Sequence, residues 1–324
     1  MSASPQAGEE GAALGARLRA GDRTAAPAAL NLVENHRPSS RRDIAALLQA
    51  VSPAVLGGEA PGHIIGVTGP PGAGKSTLLS ALVAAWRAQG RTVAVLAVDP
   101  SSRRSGGSLL GDRARIVFDP TDPGVFIRST AAGERLGGLA PATRAAAQAL
   151  SAAFDVVVVE TVGVGQSETD VADTADTVAV VVQPGSGDAL QFLKSGIMEI
   201  PDVLVVTKAD LGDVALRARR DLNAALRSVG SRDTAVVAVS SVAPLQGMDD
   251  LIAALDAHRA SLDLSARRTA ARRAGALADF VAERGQQGLR ALGGRREATR
   301  WLARQDPGAD VPTLVNALQA KVVP

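Results

Sequence analysis

The chain contains no cysteine and no tyrosine, and aromatic residues make up only 2% of its 324 positions. The absence of cysteine excludes disulfide bonds, thiol nucleophiles and thiolate-ligated metals. The three histidines, His36, His63 and His258, are scattered along the sequence, which argues against a zinc site. Because aromatics are scarce, the core must be built from valine, leucine, isoleucine and alanine, a composition that suits a buried parallel sheet.

Long hydrophobic runs are also missing. No apolar stretch approaches the ~20 residues of a membrane span. The N-terminus carries Glu9 and Glu10 and has no apolar core, so it does not resemble a secretory signal. Acidic and basic residues nearly balance, at 33 and 35. We therefore expect a soluble, cytoplasmic protein with no membrane partner.

Arginine is concentrated in the last part of the chain. The clusters are Arg267, Arg268, Arg272 and Arg273, followed by Arg295, Arg296, Arg300 and Arg304. Arginine pairs on an alanine-rich helix are usual on a solvated face, and a nucleic-acid patch is the alternative. We expect the solvated face and no nucleic-acid partner.

Residues 69–76 read Gly-Pro-Pro-Gly-Ala-Gly-Lys-Ser, a full match to the phosphate-loop pattern G-x-x-x-x-G-K-[ST]. A strand pattern at 63–68 precedes the loop and a helical pattern at 77–86 follows it, as this motif requires. Backbone N–H groups of such a loop cradle phosphate oxygens, Lys75 is expected to reach the β- and γ-phosphates, and Ser76 is expected to hold Mg²⁺. An ordinary glycine-rich turn is the alternative. The predicted nucleotide contacts here are Gly72, Ala73, Gly74, Lys75, Ser76 and Thr77.

Apolar runs alternate with helical stretches across the middle of the chain. The predicted strands are 63–68, 92–98, 124–128, 155–160, 177–183, 203–207 and 235–239. Runs such as 156–159, which is four valines, lack the alternation of a strand with one solvated face, so we predict strands covered on both faces. The fold class is therefore α/β: a P-loop NTPase with a mostly parallel central sheet flanked by helices, plus helical N- and C-terminal extensions. The predicted domains are an N-terminal helical extension over 1–55, the nucleotide-binding domain over 56–257 and a C-terminal helical region over 258–324.

A second motif follows the sixth predicted strand. Thr207-Lys208-Ala209-Asp210 fits [NT]-K-x-D, the guanine-specificity motif of GTPases. An ionised Asp210 can accept hydrogen bonds from N1–H and the 2-amino group of guanine, which adenine does not offer, and the stem of Lys208 can lie over the base. Any exposed turn could show these residues, but a place at the carboxyl edge of the sheet favours guanine over adenine. Ser240 and Ser241 follow the seventh strand, where GTPases place their last base-contacting loop, although serine is also a common turn residue.

A third motif ends the fourth predicted strand. Glu160-Thr161-Val162-Gly163 occupies the place of D-x-x-G, in which a carboxylate holds Mg²⁺ and the glycine N–H senses the γ-phosphate. A buried salt bridge is the alternative role for Glu160. Val164 stands where a Ras-like chain has its water-orienting glutamine, so unaided hydrolysis should be slow.

Two aspartates complete the predicted site. Asp99 ends the second strand and is a candidate to bind Mg²⁺ or to position the attacking water, and Asp112 could reach the metal from a polar loop. Each could instead be a turn or capping residue. The catalytic candidates are thus Lys75, Asp99 and Glu160, and the metal candidates are Ser76, Asp99, Asp112 and Glu160.

A polar segment, 183–191, follows the fifth strand on the same edge of the sheet. Its two glycines and Pro184 are typical of a hinge-like loop, and Asp188, Gln191 and Lys194 could couple the nucleotide state to a partner surface. A solvated connection between a strand and a helix is the alternative.

With these residues in view, the chain resembles the methylmalonyl-CoA mutase-associated GTPases, the MeaB/ArgK family. The phosphate loop alone is shared by thousands of proteins. Three further strings are together specific for this family. They are Asp-Pro-Ser-Ser at 99–102, Gly-Gly-Ser at 106–108 with Gly-Asp-Arg at 111–113, and Glu-Thr-Val-Gly-Val-Gly-Gln-Ser-Glu at 160–168. The resemblance spans residues 14–257, and Thr207 departs from the family's commoner asparagine.

The resemblance implies a signal-recognition-like GTPase that uses GTP/GDP and Mg²⁺ and forms a homodimer through its helical extensions. It also implies a partner, a cobalamin-dependent acyl-CoA mutase such as methylmalonyl-CoA mutase, at which the GTPase gates the loading of adenosylcobalamin and the removal of damaged cofactor. A GTPase maturation factor for another metalloenzyme and a P-loop kinase are the alternatives.

Overall fold

The structure of the chain is a computed structural model, and it describes residues 8–35, 37–99, 116–131, 141–161, 171–185, 201–228, 230 and 233–322. Seven strands form one sheet in which all neighbouring pairs are parallel. They are β1 (His63–Thr68), β2 (Val93–Asp99), β3 (Val125–Ala131), β4 (Val156–Thr161), β5 (Thr177–Val182), β6 (Val203–Val206) and β7 (Ala235–Ala238). Each begins within one residue of its predicted start. The predicted α/β fold with a mostly parallel sheet is therefore confirmed.

Burial explains why the strands read as uninterrupted apolar runs. Every residue of β1, β4, β5 and β6 is buried. A strand that is covered on both faces has no solvated side, so its sequence cannot alternate between apolar and polar residues. The end of β3 was predicted too early, because that strand stays paired with β2 as far as Asp99 and Ala131.

The strand order, β3-β2-β4-β1-β5-β6-β7, puts β1 in the middle of the sheet. Strand β4 pairs with one edge of β1 and β5 pairs with the other. Strands β2, β3 and β4 lie on one side of β1, and strands β5, β6 and β7 lie on the other. The order in which the chain adds strands to the sheet therefore reverses at β1. Ligands of open α/β sheets bind outside the carboxyl ends of the strands at such a reversal. The predicted phosphate loop follows β1 at this place.

Along the chain, helices precede, separate and follow the strands. In order they are α1 (Glu9–Arg19), α2 (Ala26–Val33), α3 (Arg41–Ala50), α4 (Pro53–Leu56), α5 (Lys75–Ala88), α6 (Pro141–Leu150), α7 (Asp213–Ser228), α8 (Met248–Ser261), α9 (Leu264–Ala291), α10 (Arg295–Leu302) and α11 (Val311–Val322). Helix α9 is interrupted at Gly285, which has a φ of 65°. Of the helices in the described part of the chain, none has the length and apolar character that crossing a membrane requires.

Helix α5, which follows the phosphate loop, is fixed against the sheet by its apolar face. Leu78, Leu79 and Trp86 are at most 1% exposed and share a core cluster with residues of β1 and β4. Full burial of one such side chain stabilises the fold by about 1.5–3 kcal/mol. This packing fixes the position of the first turn of α5 relative to the end of β1.

The other end of α5 is held by an ion pair. Arg87 donates hydrogen bonds to both carboxylate oxygens of Asp122, at 2.7 and 2.9 Å. The hydrogen bond from Arg87 lowers the pKa of the Asp122 carboxyl, and the same bond raises the pKa of the Arg87 guanidinium. The contact ties the last turn of α5 to the loop before β3.

The chain divides into two compact units. The sheet unit consists of the described residues within His63–Thr143 and Asp155–Leu262, and the helical unit of those within Met1–Gly62, Arg144–Phe154 and Asp263–Pro324. The helical unit has its own apolar core, in which Phe280 of α9 and Leu318 of α11 are fully buried.

Two arginines of α9 are buried inside the helical unit, so the expected solvated face was wrong for them. Arg268 donates to the carbonyl oxygens of Ala60 and Gly62 at 2.6 and 2.5 Å. Arg272 donates to both carboxylate oxygens of Glu59 at 2.9 and 2.8 Å. A guanidinium offers five donors, so it can satisfy several acceptors of an irregular segment at once. The segment at 59–62 is therefore held to α9 by directed hydrogen bonds.

We expect Arg272→Ala to lower the free energy of unfolding by about 3–5 kcal/mol, because it leaves a buried carboxylate without its cationic partner. The side chains of Arg272 and Glu59 are only 8% and 11% exposed. Urea denaturation measures the loss. Arg300→Ala is the matched control, since its pair with Glu297 is 58% and 48% exposed, and it should cost less than about 1 kcal/mol. Equal small losses in the two variants would contradict the structural role of Arg272.

Candidate nucleotide-binding site

The phosphate loop connects Thr68, the last residue of β1, to Lys75, the first residue of α5. Gly69, Gly72 and Gly74 have φ angles of 146°, 79° and 90°, which side chains rarely allow. At Gly69 a Cβ would also lie 2.1 Å from the carbonyl oxygen of Val181 in β5. The glycines are therefore required by the course of the backbone.

Helix α5 begins at the loop without a capping side chain. Its N-cap is Gly74, and no side chain hydrogen-bonds to this end of the helix within the described part of the chain. The first N–H groups of a helix have no partner inside the helix, and the helix dipole adds positive potential at that end. Such an end binds phosphate groups well.

The Lys75 ammonium is held inside the loop. Its Nζ donates to the carbonyl oxygen of Gly69 at 2.7 Å and lies 3.3 Å from that of Pro70. Lys75 is only 8% exposed. A cation is thereby fixed beside the same backbone N–H groups, where a triphosphate would need it. Its predicted contact with the β- and γ-phosphates remains a prediction.

Glu160 lies in β4, between β1 and β2. It is opposite Val67 of β1 and Ala97 of β2 in the sheet register, and it is 3% exposed. Residues in one register row point to the same face, and Val67 packs in the core cluster that contains α5. Glu160 is therefore on the face that carries Ser76, which is half-buried in the first turn of α5.

The donor set on this face fits a magnesium ion. The Ser76 hydroxyl and the Glu160 carboxylate supply oxygen ligands, which Mg²⁺ prefers, and it usually takes one or two protein ligands with phosphate and water oxygens. Within the described residues there is no group of three or more histidines and carboxylates that could bind a metal. Binding of Mg²⁺ by Ser76 and Glu160 remains a prediction.

Some predicted residues lie outside the described part of the chain. Asp112 and Gly163 are among them, as are Asp188, Gln191 and Lys194 of the polar segment. Asp99 is the last residue of β2, but the structure does not describe its side chain. These assignments remain predictions.

The turn at Thr207-Lys208-Ala209-Asp210, here called the base turn, is joined to the phosphate loop. The Thr207 hydroxyl donates to the carbonyl oxygen of Ala73 at 2.7 Å, and the Thr207 N–H donates to Val182 of β5 at 2.9 Å. Thr207 is 3% exposed. The threonine that replaces the commoner asparagine thus links the two predicted halves of the site. Asp210 is exposed, in the short 3₁₀ helix Ala209–Leu211.

The loop after β7 lies beside the base turn. The N–H of Ala209 donates to the carbonyl oxygen of Val239 at 3.0 Å. Ser240 is fully buried, and its hydroxyl donates to the carbonyl oxygen of Val242 at 3.0 Å, within the same loop. The Ser241 hydroxyl oxygen is buried and makes no hydrogen bond to a described residue.

One contact of the base turn involves Gln183, the first residue of the polar segment. The Lys208 ammonium donates to the side-chain oxygen of Gln183 at 2.6 Å. Gln183 directly follows β5, and β5 pairs with β6, which leads into the base turn. In the sequence, Gln183 could be noticed only as the first residue of the polar segment. Its contact with Lys208 could not be predicted, because the contact depends on β5 and β6 being neighbours in the sheet.

The family model for "Methylmalonyl Co-A mutase-associated GTPase MeaB" matches residues 26–290. This range contains the phosphate loop, Glu160, the base turn and the loop after β7.

Several curated proteins are similar over most of the chain. A putative GTPase of Pyrococcus abyssi is 44% identical over 265 residues, which cover 79% of this chain and 78% of that protein. A probable GTPase of Mycobacterium tuberculosis is 42% identical over 254 residues, covering 76% and 74%. A protein of Caenorhabditis elegans named "Methylmalonic aciduria type A homolog, mitochondrial" is 39% identical over 213 residues, covering 62% of this chain and 52% of that one.

Among solved structures, the fold resembles the crystal structure of a LAO/AO transport system kinase, with a TM-score of 0.65. The two chains are 30% identical, and the match covers 93% of this chain and 98% of that one.

We expect Lys75→Ala to weaken GTP binding by about a hundredfold or more, because the variant loses charge-assisted contacts to phosphate that no neighbouring residue replaces. Calorimetric titration with GTP measures the change. Lys321→Ala, which removes a lysine from α11 in the helical unit, is the control and should bind GTP as the wild type does. Wild-type affinity in Lys75→Ala would contradict the phosphate-loop assignment.

Proposed function

The chain belongs to the MeaB family of methylmalonyl Co-A mutase-associated GTPases, and on that premise we propose that it couples Mg²⁺-dependent GTP hydrolysis to the chaperoning of a cobalamin-dependent acyl-CoA mutase. Through this coupling it gates the loading of adenosylcobalamin and the removal of damaged cofactor. The chain is a P-loop GTPase that binds GTP and GDP. The observation that carries the proposal is the match of residues 26–290 to the mutase-associated GTPase family, and the hydrogen bond that joins the phosphate loop to the base turn supports a single nucleotide site.

In the proposed site the phosphate groups lie in the loop formed by residues 69–76. Lys75 and the N-terminus of α5 supply positive potential for the β- and γ-phosphates. Ser76 and Glu160 hold Mg²⁺, and Asp99 and Asp112 are its further candidate ligands. When bound, Mg²⁺ neutralises charge on the β- and γ-phosphate oxygens. The residues of the chain orient the nucleotide and exclude water from the buried side of the loop.

The proposed partner is a mutase of the methylmalonyl-CoA type. The family description names methylmalonyl Co-A mutase, and the similar nematode protein is named for methylmalonic aciduria.

We further propose that the C-terminal region over 258–324 takes part in a homodimer. Sedimentation equilibrium tests this point, and a monomer at all accessible concentrations would contradict it.

A P-loop kinase is the second candidate, because the similar solved structure is described as a transport system kinase. The curated relatives favour hydrolysis, since they are named GTPases. Turnover of GTP without an added acceptor, at a rate well above that of ATP, supports the GTPase. Phosphoryl transfer to an acceptor supports the kinase.

We expect Asp210→Asn to bind GTP about ten- to a hundredfold more weakly and to bind xanthosine triphosphate more tightly than the wild type. The substitution removes a charge-assisted contact to guanine. Xanthine carries a carbonyl where guanine has its amino group, and the asparagine NH₂ can donate to it. Fluorescence competition with the two nucleotides measures the exchange in preference.

The matched control is Asp213→Asn, which changes an exposed aspartate in the first turn of α7. It should leave both affinities unchanged. If adenine nucleotides bind the wild type as well as guanine nucleotides do, the base turn has been misassigned.

We expect an adenosylcobalamin-dependent methylmalonyl-CoA mutase to raise GTP turnover at least tenfold, which requires about 1.4 kcal/mol of additional transition-state stabilisation. The isolated GTPase should be slow because Val164 stands in place of a water-orienting glutamine. Phosphate release with and without the mutase measures the effect, and a non-cobalamin enzyme serves as the control. Fast turnover by the GTPase alone, or no response to the mutase, would contradict the proposed coupling.

A further inference from the structure

Lys208 has an unusual backbone conformation within the base turn. Its φ and ψ are 56° and 43°, and it is the one residue other than glycine with a positive φ in the part of the chain that the structure describes. Such a conformation costs free energy and persists where the surroundings determine it, often at functional sites. Here hydrogen bonds fix both neighbours: Thr207 N–H donates to Val182, and Ala209 N–H donates to Val239.

The far end of the Lys208 side chain is also fixed. Its ammonium donates to the Gln183 side-chain oxygen at 2.6 Å, although Lys208 itself is exposed. An exposed lysine ordinarily samples many rotamers and loses entropy when it is ordered. Because the backbone and the ammonium are both held, the methylene stem between them has a defined course from the base turn toward the end of β5.

The sheet order makes this contact possible. Gln183 is the first residue after β5, and Lys208 is the second residue after β6. The two strands are paired in parallel, with Val182 opposite Val206. Their carboxyl ends therefore emerge side by side at the edge where the phosphate loop lies.

From this arrangement we propose that Gln183 is a positioning residue: it holds the Lys208 stem in place against the guanine ring, so that the first residue after β5 affects guanine affinity without touching the nucleotide. This inference rests on the proposed role of the base turn. Without an acceptor at position 183 the Lys208 ammonium loses the 2.6 Å hydrogen bond that draws its stem toward the end of β5. Positioning of Lys208 thus requires a hydrogen-bond acceptor at position 183, and that acceptor can be neutral or negatively charged.

The test is a double-mutant cycle on GDP release from the full-length protein. The dissociation rate of a fluorescent GDP analogue is measured by displacement with excess GDP. We expect Gln183→Ala to raise this rate about three- to tenfold, the effect of one hydrogen bond. Gln183→Glu retains an acceptor for the ammonium and should restore slow release. The double variant Gln183→Ala/Lys208→Ala should release GDP no faster than Lys208→Ala alone.

A second readout separates positioning from general damage. Gln183→Ala should raise the KM for GTP while kcat at saturating GTP is unchanged. Gln89→Ala, which removes an exposed glutamine at the opposite end of α5, is the control and should change neither value.

The proposal is overturned if Gln183→Ala releases GDP at the wild-type rate, if the two single effects add, or if Gln183→Glu is as defective as Gln183→Ala. Failure of the base-turn assignment is a separate result. It would appear as an unchanged nucleotide preference in Asp210→Asn, whether or not the effects at positions 183 and 208 are coupled.

Discussion

The candidate site depends on the burial of β1 between two neighbouring strands. Every residue of β1 is buried, and β4 and β5 hydrogen-bond to its two edges. A strand in this position cannot shift without breaking both ladders and exposing apolar side chains. The phosphate loop therefore starts from a fixed point, and the packing of Trp86 and its neighbours fixes the helix at the other end of the loop. The glycine conformations between these two points follow from the short path that remains.

The base turn is joined to the phosphate loop by the side chain of Thr207. Thr207 lies 134 residues from Ala73 in sequence, yet its hydroxyl donates to the Ala73 carbonyl oxygen. The same hydroxyl also lies 3.1 Å from the carbonyl oxygen of Val182, and Thr207 is 3% exposed, so the side chain is enclosed between the phosphate loop and the end of β5. The phosphate loop and the base turn are thus parts of one hydrogen-bonded framework.

Much of the fold could be predicted because short stretches of the sequence determine its strands and its phosphate loop. The valine runs of β4 and β5 specify buried strands, and the phosphate-loop motif specifies the turn between β1 and α5. The contacts of Gln183 and Arg268 could not be predicted in this way. Gln183 meets Lys208 only because β5 and β6 are neighbours, and Arg268 reaches Ala60 across 208 residues. Arginine pairs on an alanine-rich helix predict a solvated face, but the sequence does not show which of these arginines hydrogen-bonds to buried carbonyl oxygens.

The scarcity of aromatic residues gives these polar contacts additional weight. Aliphatic side chains bury area efficiently, but their attraction has little directionality, so they position loops loosely. Hydrogen bonds require particular distances and angles. In the candidate site two connections between separate segments are hydrogen bonds of that kind: Thr207 to Ala73 and Lys208 to Gln183. The aliphatic core supplies stability, while these two directed bonds connect the base turn to the phosphate loop and to the end of β5. A substitution of Thr207 or Lys208 should therefore alter the geometry of the base turn well before it unfolds the protein.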